Sequence, residues 1–512
     1  TGNNNKYIRY WFEVNYSLIN FNGESNNIKY WIPYQMGGEA RKWYGNISEV
    51  IYWKNNGEKV RGEKGSLIRN EKFFFKKGIS WKRITSGNNT IRVLNKGFIF
   101  DQSADSIFVK NPEEYNYILA FFNTKIMMNI FKFISPTLNL TAGTVKQIPI
   151  YIEKNPKIKR KIDELCEECI SISKMDWDFF ETSWNFKRHP FMSMCEGREN
   201  LLDNCDSQIQ YYIGYVFNLW ESFVENQFNK LKHNEEELNK IFIDIYGLKD
   251  ELTPEVLDKD ITMRRADKTR DVKSFISYGV GCMFGRYSID KEGIVYSGEE
   301  FCSFSGEKSR NFIQYLPDED NIIPILCEGC FENDMVYRFI QFVSVVFGKK
   351  YLRENLNFIA ESLGKKAGET DEDTLRRYFI NDFFKNHVQM YKKRPIYWLF
   401  TSGKYKAFNC LVYVHRYHKG ILSIMRNCYV NKVKDKIYKD IEYLSHKMEY
   451  YCQKDKKTMR KKLDTLYKKQ HELHVYDEML VHKADMNIEL ELDFGISYNY
   501  KKFLPLVKNL EK

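Results

Sequence analysis

The 512-residue sequence is 43% hydrophobic and 16% aromatic, more material than one ordinary core holds and too apolar for a disordered chain. Its formal charge of +11 is segregated: residues 1–160 hold 25 Lys and Arg against 12 Asp and Glu, whereas the remainder holds 54 against 56. This pattern points to a polyanion-binding module joined to a nearly neutral scaffold. The eleven cysteines, odd in number and scattered from Cys166 to Cys452, read as reduced thiols and not as a secreted disulfide framework. No apolar run reaches the roughly 18 residues of a membrane helix. The nearest, Tyr115 to Phe133, is interrupted by Asn116, Asn123, Lys125, Asn129 and Lys132. The expectation is a soluble cytoplasmic bacterial protein with no membrane contact.

From Tyr7 to about Phe108, short aromatic and β-branched runs alternate with Gly/Asn turns, the signature of strands and hairpins. Val50-Ile51-Tyr52-Trp53 before Asn55-Asn56-Gly57 is one case, and Gly97-Phe98-Ile99-Phe100 another. Asn111-Pro112-Glu113-Glu114 predicts the start of one helix running to about Phe133. A turn at Ser135-Pro136-Thr137 and an extended Gln147–Ile150 close this module, set at residues 1–155. Residues 156–259 read as mainly helical. Ser173 to Asp176 resembles a capping box, and Thr253-Pro254-Glu255 another helix cap. A helix-dominated block follows over 260–429. Over 430–485, apolar residues recur at spacings of 3 and 4 from Val433 to Tyr451 and from Met459 to Leu473. With Lys454–Lys457 between them, an antiparallel helical hairpin is predicted. Residues 486–512 form a tail. The fold class is α+β: a basic N-terminal module of short strands plus helices, then mainly helical domains with a long hairpin.

Several chemistries are tested by the residue types they require. Methyl transfer to an exocyclic amine uses an Asn/Asp-Pro-Pro-aromatic loop around the flipped base, and no such string occurs. Gly279 to Gly285 superficially resembles a dinucleotide loop. However, Asp271–Tyr278 before it reads as helix, so these small residues are assigned to close helix packing. Cys166/Cys169 and Cys327/Cys330 lie too far apart for a zinc ribbon and read as free thiols; His415/His418 and His471/His474 lack a clear third ligand. Glu58-Lys59 and Glu71-Lys72 lack the preceding acid of a metal-dependent nuclease. No catalytic, cofactor or metal residue is therefore assigned. The basic module is richer, because Lys and Arg hold phosphates while Arg and Asn read base edges. Its candidate DNA-binding residues are Lys6, Arg9, Arg41, Lys42, Lys76, Lys77, Lys82, Arg83, Asn88, Asn89 and Arg92. Trp43 and Trp81, interleaved with them, are assigned to the core.

Longer strings resemble a known family. Thr1–Asn4 with Arg9–Val14, Trp31–Tyr34, Gly37–Asn46, Gly78–Trp81, Gly97–Asp101 and Ser135–Asn139 resemble the target-recognition region of the PglX adenine-specific DNA methyltransferases of BREX phage-defence systems. Ile243–Leu248, Gly281–Tyr287, Lys393–Phe400 and Val414–Tyr417 are similar to that family's C-terminal part. In such proteins the methyltransferase domain, with its S-adenosylmethionine site and Asn-Pro-Pro-Tyr motif, precedes the point where this chain starts. The resemblance therefore implies double-stranded DNA as partner, target recognition by residues 1–155, and a missing catalytic domain that carries the cofactor. It also implies contacts with other defence-system subunits. The competing expectation is an interaction scaffold in which DNA contact is incidental; a nuclease ranks third.

Overall fold

The computed structural model describes residues 4–23, 28–84, 90–134, 139–196, 212–298, 311–326, 331–448 and 453–510. The sequence positions Asn88, Asn89, Cys327, Cys330 and Ser135–Leu138 lie outside them. The chain divides into two compact units, one of residues 1–11, 16–187 and 218–267, the other of 12–15, 188–217 and 268–512. The protein is α+β, with its short strands concentrated toward the N-terminus and helices dominating afterwards.

In the first unit, β1 (Ile8–Tyr10), β2 (Trp31–Gln35), β3 (Glu49–Tyr52) and β6 (Ile99–Phe100) form a sheet in the order β1-β3-β2-β6. Ile32 stands opposite Ile51 in the β2–β3 register. Alternation places Tyr34 and Trp53 with them, and Phe74 and Ile99 complete one apolar cluster. Each such side chain contributes about 1.5–3 kcal/mol on burial. The Asn55-Asn56-Gly57 turn after β3 adopts φ of 52°, 55° and 75°. A Cβ on Gly57 would meet the Trp53 ring at 2.8 Å, so only glycine fits there. A second sheet has the order β5-β4-β7, from β4 (Gly78–Lys82), β5 (Ile91–Leu94) and β7 (Ala104–Ile107), all antiparallel. Trp81 is fully buried and donates its indole N–H to the Leu140 carbonyl at 2.9 Å.

Three local expectations need correction. The single helix from Asn111 to Phe133 is two, Tyr115–Phe122 and Lys125–Ile134, and the helical stretches Pro112–Phe122 and Lys125–Ile134 meet at 73°. Asn123 breaks the ladder because its amide exchanges hydrogen bonds with the Ile91 backbone (3.3 and 3.0 Å). Thr124 then caps the second helix by accepting from the Met127 N–H. Second, Ser173–Asp176 is no cap: the helix Pro156–Asp178 runs through it, and Asp176 is used in a buried ion pair. Third, Thr253-Pro254 starts no helix. The segment is extended, its Pro254 carbonyl accepting from Asn239 (3.0 Å) and its Val256 N–H donating to Glu236 (3.0 Å). Cys166 and Cys169 are buried free thiols on the Pro156–Asp178 helix, and burial pushes both well up. No single helix among the described residues is long and apolar enough to cross a membrane.

In the second unit a sheet of β8 (Ile323–Pro324), β9 (Tyr397–Thr401) and β10 (Asn409–Tyr413), ordered β8-β10-β9, is surrounded by helices. Lys268–Met283 is indeed helical, and Gly279 lies against Phe339 and Phe342 of the helix Met335–Phe347. A Cβ there would fall 2.9 Å from the Phe342 ring, so the glycine serves close packing and not a dinucleotide. His387 is buried and its Nε2 accepts from the Ile396 and Tyr397 N–H groups (3.1 and 3.0 Å). Asn431–Lys447 and Gln453–Asp485 are the two hairpin helices. The second begins at Gln453, so the predicted connector Lys454–Lys457 is already helical.

Candidate nucleic-acid interface

The eleven sequence candidates separate into buried cations with internal partners, cations at the surface, and Asn88 and Asn89, which lie outside the described residues. The buried set is built around the 41–44 segment. Trp43 takes a left-handed φ of 65° and bonds β5 on both sides: its N–H donates to Ile91 O and its carbonyl accepts from Val93 N, both at 2.9 Å. This turns Arg41 and Lys42 toward the helices Pro156–Asp178 and Ile213–Tyr246. Arg41 donates to Asp176 at 2.7 Å and to the carbonyls of Tyr44 and Ser173 at 3.2 and 3.3 Å, while lying 5.2 Å over the Trp177 ring. Lys42 pairs with Glu235 at 2.6 Å, and the other oxygen of that carboxylate takes the Trp43 indole N–H at 2.8 Å. Both ion pairs have side chains at most 6% exposed. In so dry a place one unpaired member costs several kcal/mol, about 3–5 when its partner is removed.

Arg92 is fully buried on β5 and donates to the carbonyls of Met36 and Gly37, tying the Gly37-Gly38 loop to the second sheet. Burial pulls its guanidinium down to about 10. Arg9 is 7% exposed and donates to the carbonyls of Ile8 (2.8 Å) and Lys6 (3.3 Å). Arg9, Arg41, Lys42 and Arg92 therefore build the unit that carries the other candidates. A phosphate reaches none of them without opening the core. The residue types in Arg41-Lys42-Trp43-Tyr44 suit DNA and core equally; the missing signal was that Asp176 and Glu235 lie more than 130 positions away.

The surface set brackets β4. Lys76 and Lys77 precede it and are exposed; Lys82 ends it and Arg83 follows, both half-buried. Phe75, at φ 65°, turns the chain into the strand, and Phe73 stacks on Phe108 at 4.6 Å. Lys77 then sits 3.9 Å from the centroid of Tyr115, and Lys76 5.8 Å from that of Phe73. Neither lysine has an acidic partner among the described residues. At the far end, the Arg83 backbone is clamped by Ser103 O and Leu140 N (3.0 and 2.9 Å). Its charge opposes the upward, burial-driven shift of the Asp105 carboxyl. Four strand residues lie between Lys77 and Lys82, a span of roughly 17 Å. Lys6 is exposed but paired with Glu63, whose carboxylate also takes the Tyr7 hydroxyl at 2.7 Å. Glu71 and Glu58 form no acidic cluster; Arg61 grips Glu71 at 2.9 and 2.8 Å, and Asn55 donates to Glu58 at 3.0 Å.

No protein-family model matches the chain. Two curated relatives do. The chain is 38% identical over 517 residues to the adenine-specific methyltransferase PglX of Lacticaseibacillus casei, covering 98% of this chain and 41% of that protein. It is 36% identical over 532 residues to the adenine-specific methyltransferase BrxX of Escherichia coli O9:H4, covering 99% of this chain and 42% of that protein. The chain is thus homologous, almost from end to end, to a portion of adenine-specific methyltransferases that makes up about two fifths of their length.

Proposed function

We propose that these 512 residues supply the DNA-recognition part of an adenine-specific DNA methyltransferase of a phage-defence system. The observation that carries the reading is the cation set around β4 in a chain homologous to such enzymes. Lys76, Lys77, Lys82 and Arg83 stand at the two ends of one strand, on a frame locked by the Arg41–Asp176 and Lys42–Glu235 pairs. The frame holds the loops in register, and the cations take phosphates. Methyl transfer and S-adenosylmethionine binding are assigned to parts of such an enzyme outside these residues, and contacts with other defence subunits to the helical second unit.

The test is fluorescence anisotropy of the 512-residue chain on duplex DNA across a salt series. Affinity falling by orders of magnitude between 50 and 200 mM salt is expected for about six or more phosphate contacts. Lys76→Glu/Lys77→Glu and Lys82→Glu/Arg83→Glu each weaken it. Salt-insensitive binding, or affinity unchanged in both variants, rejects the reading.

A further inference from the structure

The charge total for the chain beyond residue 160 conceals a second basic region. Residues 431–470 hold thirteen Lys and Arg against six Asp and Glu, while the rest of that stretch holds 41 against 50. All of this surplus lies on the helical hairpin. Val433, Ile437 and Ile441 on the first helix, and Leu473, Tyr476 and Leu480 on the second, are buried at its base. Farther out, Leu444, Met459, Leu463 and Leu466 are only half-buried, so the arm's outer part is covered by little besides its own two helices.

The cations are ordered on the surface. Lys432, Lys436, Lys439, Tyr443 and Lys447 follow one another at spacings of 4, 3, 4 and 4, a single stripe beside the Val433–Ile437–Ile441 seam. No Asp or Glu interrupts the stripe, which extends about 22 Å at 1.5 Å per residue. Lys447 donates to the Tyr443 hydroxyl at 2.9 Å, joining charge and phenol at its outer end. On the second helix Lys457, Arg460 and Lys461 are exposed. Lys439, Lys457, Arg460 and Lys461 have no ion-pair partner among the described residues, although acidic side chains abound elsewhere in the unit. A groove of about 500 Å³ between the helices adds Tyr438, Tyr467, His471 and His474.

We infer that the hairpin is a second nucleic-acid-binding surface, a cationic arm that lies along the phosphate backbone of duplex DNA without reading its sequence. A straight, rigid row of ammonium groups suits a stiff polyanion. Exposed phenol hydroxyls donate to phosphate oxygens, and no array of Asn, Gln or Arg capable of bidentate base contacts accompanies them. The inference rests on the hairpin's own charge and is independent of the sequence-reading role proposed for the first unit.

The experiment compares the intact 512-residue chain, a hairpin variant (Lys436→Glu, Lys439→Glu, Lys457→Glu, Lys461→Glu) and the Lys76→Glu/Lys77→Glu variant. Each is titrated on several unrelated duplexes of equal length over a salt series, with circular dichroism confirming fold. Loss of about four phosphate contacts flattens the slope of log affinity against log salt by roughly three to four units. The expected result is that the hairpin variant loses affinity at low salt, at least tenfold and equally for every duplex. Unchanged affinity and slope overturn the inference, including the case where the variant loses only an acidic protein partner. Loss in the hairpin variant but not in Lys76→Glu/Lys77→Glu supports the arm while counting against the β4 rim; the converse does the opposite.

Discussion

Two basic stretches of this chain use their cations in opposite ways. Between Arg41 and Arg92, several guanidinium and ammonium groups point inward, where Asp176, Glu235 and backbone carbonyls take them. On the hairpin, Lys432, Lys439, Lys457, Arg460 and Lys461 are exposed, and several of them have no acidic partner among the described residues. A count of charges does not distinguish the cases. Burial needs a carboxylate delivered by another element at hydrogen-bond distance; without one, the desolvation cost keeps a lysine at the surface.

The largest effect is expected where the comparison is sharpest. Lys42→Met strands the Glu235 carboxylate in the core and should destabilise the first unit by about 3–5 kcal/mol in chemical denaturation, with Glu235→Gln restoring part of the loss in the double variant. A cost near zero returns Lys42 to the list of DNA contacts. A second test concerns basic side chains kept neutral. Burial depresses His189, His387 and His415 from 6.5 to about 3. Below pH 6.5 the unfolded chain takes up protons that the folded chain refuses. Stability present above that pH is therefore lost as pH falls toward 3, by about 1.4 kcal/mol per pH unit for each such histidine. Thermal melts of the whole chain between pH 7 and 5 should show this slope, and His387→Gln should reduce it; a flat profile means these imidazoles are not held neutral.

Smaller effects belong to the surface. Each pair reversal at Lys76/Lys77 and Lys82/Arg83 should cost about tenfold or more in duplex affinity at moderate salt, and leave the melting temperature nearly unchanged. The smallest shift is expected in the stability of the hairpin variant, within about two degrees of the parent chain, since exposed side chains without buried partners contribute little. A larger drop would mean that its lysines are structural after all, which would move the hairpin to the same side of the comparison as Arg41.

Much of the local architecture was legible. Asn55-Asn56-Gly57 carries the residues a left-handed turn needs, and the 3/4 spacing from Val433 onward marks the buried seam of the hairpin. Trp43 and Trp81 are in the core as their size suggested. Three of the readings that failed share one cause: Asn123, Asp176 and Pro254 are each engaged by a distant partner, at Ile91, Arg41 and Asn239 respectively. Among the candidate site residues, distant carboxylates removed Arg41 and Lys42 from the solvent-facing set, while Arg9 and Arg92 are buried on backbone carbonyls.

By itself the sequence determined the fold class, the segregation of charge, the positions of the long helices and the likeness to adenine-specific methyltransferases, because composition, periodicity and turn chemistry are properties of neighbouring residues. Only the tertiary structure decided which cations meet solvent and which meet carboxylates. That choice depends on partners more than 130 positions away, and on whether their approach offsets the cost of removing a charge from water.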